Sequence, residues 1–213
     1  MNMRLSPIVA LTALSSVASA EAVLYKVNAT GWSRATFESD APLESIVGIT
    51  TKVDGVIKVD REKPAGATAK IEIDVAGFNT GNSMRDGHLR SKDWLDADAH
   101  PKITFELAEI TGLDALVPEK YVKANAEGKL TIRGVTRKVT VPVRVGLFTY
   151  SEKLKKLMPY VSSDVLRVST RFDIRLSDYG VKIPEMLGLK VSEVVKVRVD
   201  ATAVRDTGVK PKE

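Results

Sequence analysis

The chain has 213 residues, 44% apolar and 28% charged, with no cysteine. That length favours one domain with a real core, the composition excludes wholesale disorder, and the missing thiols exclude disulfide scaffolds, thiolate metal sites and thiol chemistry. The formal charge of +5 is spread along the chain, too diffuse for nucleic acid but suited to transient contact with an anionic membrane surface.

Residues 1–20 read as an address. Arg4 precedes a mostly apolar stretch over 7–17, and Ala18-Ser19-Ala20 forms a small-x-small cleavage site. The apolar stretch is shorter than the roughly 20 residues that a bilayer span needs. The expectation is a cleaved signal peptide (1–20), a single exported domain (21–205) and a flexible tail (206–213), in the periplasm or secreted. The two segments 46–53 and 56–60 flank Asp54-Gly55, which reads as a tight hairpin turn. Residues 63–69, with Pro64 and Gly66, read as a loop. Alternation then dominates: Ile71, Ile73 and Val75 against Glu72 and Asp74, and Ile103, Phe105 and Leu107 against Thr104 and Glu106. Between these runs, 83–95 is a candidate helix.

The same period of two continues from Val122 through Ala124, Ala126 and Gly128 to Leu130 and Ile132. It recurs over 139–147, 168–176 and 195–203. Gly128 suggests a bend or bulge, and Gly134 a turn with unusual backbone angles. Short helices are expected over 151–158 and over 184–195, the latter opening on Pro184, holding Met186, Leu187 and Leu189, and giving way to strand. Each alternating run has one apolar and one wet face, as an antiparallel sheet buried on one side requires. The expected class is therefore all-β with one or two short helices. About eight such strands close into a barrel with room for an elongated ligand; a two-sheet sandwich gives the same alternation. Either a close-packed core or a ligand pore fits the inward faces.

Two longer motifs narrow the choice. The first runs Asn79-Thr80-Gly81-Asn82-Ser83-Met84-Arg85-Asp86-Gly87-His88-Leu89-Arg90-Ser91-Lys92-Asp93-Trp94-Leu95-Asp96, then His100-Pro101-Lys102-Ile103-Thr104-Phe105. The second runs from Gly128-Lys129-Leu130-Thr131-Ile132-Arg133-Gly134-Val135-Thr136 to Val141-Pro142-Val143. Together they resemble the YceI-like family, over most of residues 21–205. The resemblance implies a secreted, eight-stranded antiparallel, lipocalin-like barrel. It further implies non-enzymatic binding, transport or storage of an isoprenoid lipid, either a polyisoprenoid or an isoprenoid quinone. No other cofactor is expected. The segment from Asn28 to Ser33 lacks the aspartate and histidine-serine usual in that family, and the 146–166 connection is unlike the usual loop.

Strand parity assigns the pore wall to Ile71, Ile73, Ile103, Phe105, Ala124, Ala126, Leu130, Ile132, Val141, Val143, Phe172, Ile174, Val197 and Val199. Arg85, Asp86 and His88 look at first like a catalytic or metal cluster. Only His100 is available to join them, too few ligands for a metal, so a structural role for Arg85 and Asp86 is favoured. The competing role is contact of Arg85 and His88 with a polar head group at the pore rim. No nucleophile–base pair stands at a telling spacing. The alternative to a carrier is an envelope interaction module with a packed interior and an exposed apolar patch over 148–160.

Overall fold

The computed structural model describes residues 21–27, 31–159 and 161–208. The expected signal peptide, and the tail from residue 209 onward, lie outside the described residues. Ten strands form one antiparallel sheet: β1 (Val23–Val27), β2 (Arg34–Asp40), β3 (Ser45–Thr50), β4 (Val53–Val59), β5 (Thr68–Asp74), β6 (Lys102–Thr111), β7 (Tyr121–Ile132), β8 (Val135–Phe148), β9 (Val165–Arg175) and β10 (Val194–Arg205). The order β1-β4-β5-β6-β7-β8-β9-β10 returns to β1 and closes an eight-stranded barrel. Strands β2 and β3 lie outside that ring, with β2 paired to β10 and β3 to β2.

The two extra strands arise because the chain breaks twice. β10 pairs with β1 through Ala203–Arg205 and with β2 through Val195–Asp200, so both share one edge of it. Just before β2, the Ser33 hydroxyl donates to the Thr202 carbonyl (3.3 Å) and accepts from the Thr202 amide (3.0 Å). A side chain thus satisfies backbone groups of β10 that a ladder partner would otherwise serve. The second break follows Thr50, whose hydroxyl accepts from the Lys52 amide at 3.0 Å.

This arrangement corrects the expected hairpin at Asp54-Gly55. Both residues lie inside β4, where Asp54 pairs with Glu72 of β5 and Gly55 with Ile71 of β5 and Val27 of β1. Gly55 is there because the sheet crowds it: a Cβ at that position would lie 2.2 Å from the Lys70 carbonyl oxygen, at a φ of +153°. The real hairpin of this kind is Arg133-Gly134 between β7 and β8, where both residues have positive φ (50° and 73°), as a type I′ turn requires. The bulge falls at Leu107/Glu109, beside Gly128.

Helices are few. α1 (Ser83–Arg90) is capped by Asn82, whose side chain accepts from the Met84 and Arg85 amides, and ends where the Ser91 hydroxyl returns to the His88 carbonyl. It is shorter than the expected 83–95. α2 (Glu152–Leu157) is capped by Ser151. The helix expected from Pro184 is only a 3-10 turn over Glu185–Leu187; Leu187 turns to the cavity wall, while Met186 is 86% exposed. Residues 63–69 hold a 3-10 turn at Pro64–Gly66 before β5 begins at Thr68.

Two ends of the barrel follow from this connectivity. One carries α1, the β2–β3 turn, the β7–β8 hairpin and the β9–β10 connection. The other carries α2 and the β4–β5, β6–β7 and β8–β9 connections. Packing is tightest at the α2 end, where Tyr25, Leu147, Leu166 and Ala203 are at most 1% exposed. In the 148–160 segment, Phe148 is held edge-to-face on Tyr121 at 5.7 Å, while Tyr150 and Leu157 are exposed. Tyr160 lies outside the described residues.

Candidate ligand cavity

Inward-facing apolar residues in a filled barrel are sealed from water. Here Ile71, Ile103, Phe105, Val168, Phe172, Val197 and Val199 point inward from β5, β6, β9 and β10 yet stay only half-buried. The reason is an unfilled interior space of about 610 Å³, within the roughly 300–1,000 Å³ of typical small-molecule pockets.

Its floor lies at the α2 end, on Leu113, Leu116 and Leu166. Its middle is almost entirely aliphatic and aromatic. Of the hydroxyls there, on Thr36 and Thr170, that of Thr170 donates to the Pro142 carbonyl at 2.7 Å. Polar lining collects at the α1 end: Ser39, Glu44, Thr80, Asn82, Arg85, His88 and Lys190. The cavity is therefore apolar along its length and polar at its mouth.

Of the residues assigned by parity, Ile71, Ile73, Ile103, Phe105, Ala126, Leu130, Ile132, Val141, Val143, Phe172, Ile174, Val197 and Val199 all line this space. Ala124 does not. It faces inward but is buried toward the α2 end, paired with Val143 and close to Gly112 at the start of the β6–β7 connection. Strand parity identifies a face and is silent about depth along the barrel. Arg85 and His88 do stand at the mouth.

The mouth is built by the first motif. The Asp86 carboxylate accepts from the Thr80 hydroxyl at 2.7 Å and from the Thr80 amide at 2.9 Å. The Thr80 hydroxyl bond is the main reason its carboxyl titrates below the usual aspartate range. Arg85 donates from Nε to the Thr80 hydroxyl (3.0 Å) and from Nη2 to the Thr80 carbonyl (3.1 Å), and its Nη1 pairs with Glu44 at 2.6 Å. These bonds fix α1 to the segment before it and to the β2–β3 turn. Arg85 and Asp86 are thus committed to holding the mouth in shape. Among the described residues the His88 imidazole makes no hydrogen bond, and it is exposed on α1. His100 lies apart, its ring against Gly134, where an added Cβ would meet it at 2.6 Å. Among the described residues no group of three or more His, Cys, Asp or Glu side chains is placed to hold a metal ion.

Several wall residues lay outside the sequence reading. Phe37 and Ser39 on β2 and Ile46 on β3 line the cavity, with Phe37 edge-to-face on Phe78 at 5.4 Å. The alternation Ala35-Thr36-Phe37-Glu38-Ser39 was there to be read, but it ends on a polar side chain. Met84, Leu89 and Trp94 on and after α1, and Leu187 and Val191 in the β9–β10 connection, belong to segments without strand period. Trp32 is exposed and not part of the wall.

Comparison with known proteins agrees with this architecture. The YceI-like domain model matches residues 25–203, and the chain belongs to that family. A UPF0312 protein of Pseudomonas aeruginosa is 33% identical over 97 residues, which is 43% of this chain and 44% of that protein. One from Yersinia enterocolitica is 33% identical over 101 residues, 45% and 46% of the two chains. These matches span under half the length of either curated relative. Among solved structures, Burkholderia cenocepacia BcnA superposes with a TM-score of 0.64 at 26% identity, over 81% of this chain and 96% of that one. A polyisoprenoid binding domain from Saccharophagus degradans, implicated in plant cell wall breakdown, superposes with a TM-score of 0.65 over 86% of this chain and 99% of that one. At 17% identity the latter shares the fold.

Proposed function

We propose that this YceI-like barrel is a non-enzymatic carrier or store for an isoprenoid lipid, a polyisoprenoid or isoprenoid quinone, held chain-first in the cavity. The observation that carries the reading is the half-buried state of the inward apolar side chains around an unfilled space of about 610 Å³. Each methylene moved from water into such a wall gains about 0.8 kcal/mol, so a long chain is retained by burial alone. The polar groups gathered at one end suit a molecule with a single polar head. A neighbour in structure is a polyisoprenoid binding domain, which supports the choice of chain.

A carrier is favoured over an enzyme because Arg85 at the opening and Asp86 beside it in sequence are taken up by structural bonds to Glu44 and Thr80. The competing picture of an interaction module needs a packed interior, which a cavity of this size does not provide. The export signal read in residues 1–20 supports a site of action outside the cytoplasm. The test compares wild type with Val197→Phe, which aims a ring into the void from β10. Solvent extraction followed by mass spectrometry is expected to recover an isoprenoid from wild type and not from the variant. Equal recovery from both, or none from wild type, contradicts the reading.

A further inference from the structure

Among the described residues, five large apolar side chains are more than half exposed: Leu43, Met84, Leu157, Met186 and Leu189. Four of them share one end of the barrel. Leu43 is in the turn between β2 and β3, Met84 is in the first turn of α1, and Met186 and Leu189 are in the β9–β10 connection. The Leu43 amide donates to the Leu189 carbonyl at 2.9 Å, and Glu44, the next residue, is paired with Arg85, the neighbour of Met84. The three segments are thus fastened side by side around the mouth. Met84, Leu187 and Lys190 belong to the cavity wall as well as to this rim.

We propose that the rim is a docking surface for a lipid bilayer, on which the barrel stands mouth-down while the cavity exchanges its contents with the membrane. This rests on the apolar-ligand reading of the cavity and adds where the ligand enters and leaves. An apolar chain passing between bilayer and pore through water exposes its whole length, and a rim continuous with the wall removes that exposure. A protein partner fits less well. Stable protein interfaces take roughly 20–30 residues a side, whereas here four apolar side chains stand on three segments with Glu44, Glu185 and Lys190 among them. A bilayer asks for no complementary shape. Methionine and leucine side chains enter the boundary between head groups and acyl chains singly, and the exposed Lys182 and Lys190 meet anionic head groups there.

Flotation with phosphatidylcholine vesicles containing phosphatidylglycerol tests the proposal, alongside transfer of a fluorescent polyene from the vesicles into the protein. The double variant Met186→Glu/Leu189→Glu is expected to lower vesicle binding by about tenfold or more and to slow transfer in parallel. Leu157→Glu, an equally exposed leucine at the far end, is expected to behave as wild type. Absence of vesicle binding by wild type, or an equal loss in Leu157→Glu, overturns the proposal. Val197→Phe separates the two readings: it is expected to float with vesicles while taking up no polyene. A wild type that floats but never takes up polyene supports the rim and removes the carrier.

Discussion

Arg85 and Glu44 meet at 2.6 Å across the mouth of the barrel, joining α1 to the turn between β2 and β3. The same guanidinium holds Thr80 through two further bonds, so a single side chain ties together three stretches of chain. The part of the family motif that looks most like chemistry acts here as a clamp.

The clamp predicts a kinetic phenotype. The pair is partly exposed, so its contribution to global stability is small, about 1 kcal/mol for Arg85→Ala including the bonds to Thr80. Thermal melting is expected to fall by roughly 2–4 °C. Release of a bound polyene is expected to accelerate more than that loss suggests, because α1 borders the opening. Arg85→Lys keeps the charge but not the forked bonds, and is expected to fall between the two. Stopped-flow release kinetics measure this directly.

Acid is expected to open the same mouth. Asp86 is held below the ordinary aspartate range, chiefly by the Thr80 hydroxyl. Its folded value is lower than its unfolded value, so the stabilisation is complete above the unfolded value. It is lost as pH falls through the folded one. Release of ligand is therefore expected to quicken below about pH 4 and to be slow at pH 6. In Asp86→Asn this part of the acid dependence is expected to vanish. The fluorescence of Trp94, which lines the cavity beyond α1, offers a readout.

Two alanines on β7, two residues apart and facing the same way, are expected to respond differently to enlargement. Ala126→Phe directs its ring into the void and is expected to block ligand uptake at little cost in stability. Ala124→Phe, buried and outside the lining of the void, is expected to cost about 1–3 kcal/mol by overpacking. Chemical denaturation of the two variants, paired with polyene uptake, tells them apart.

The close approach of β4 and β5 makes Gly55 the most sensitive small residue. A methyl there collides with the Lys70 carbonyl, and Gly55→Ala is expected to destabilise the barrel by about 1–3 kcal/mol. Thermal unfolding checks it. A loss as small as that of an exposed glycine contradicts the account of this strand.

Strands β5 to β10 were legible because each has a wet face and an inward face; on β6 the bulge at Leu107/Glu109 shifts the inward parity, from Leu107 to Ile110. Of the first four, β3 and β4 were read as segments but joined by a false hairpin, and β1 and β2 were not read, since their continuity depends on bonds made far away in sequence. Ser33 to Thr202 spans nearly the whole chain, and nothing local marks it. Asp54-Gly55 carries real turn chemistry in its residue types, yet the glycine answers to crowding by a neighbouring strand. The wall residues on β7 to β10 could be read from parity; the mouth could not, because Met84, Leu187 and Lys190 are placed by loops. Ala124 shares the inward parity of Ala126 but lies nearer the α2 end, outside the lining of the void, a depth that period two does not encode.

Native mass spectrometry of the protein purified from its own host, without detergent or solvent, tests the central claim most directly. The account predicts one bound isoprenoid per barrel, shed when the protein is denatured and absent from Val197→Phe. A wild-type spectrum at the bare protein mass, from protein that also fails to take up an added polyisoprenoid or quinone, would contradict it.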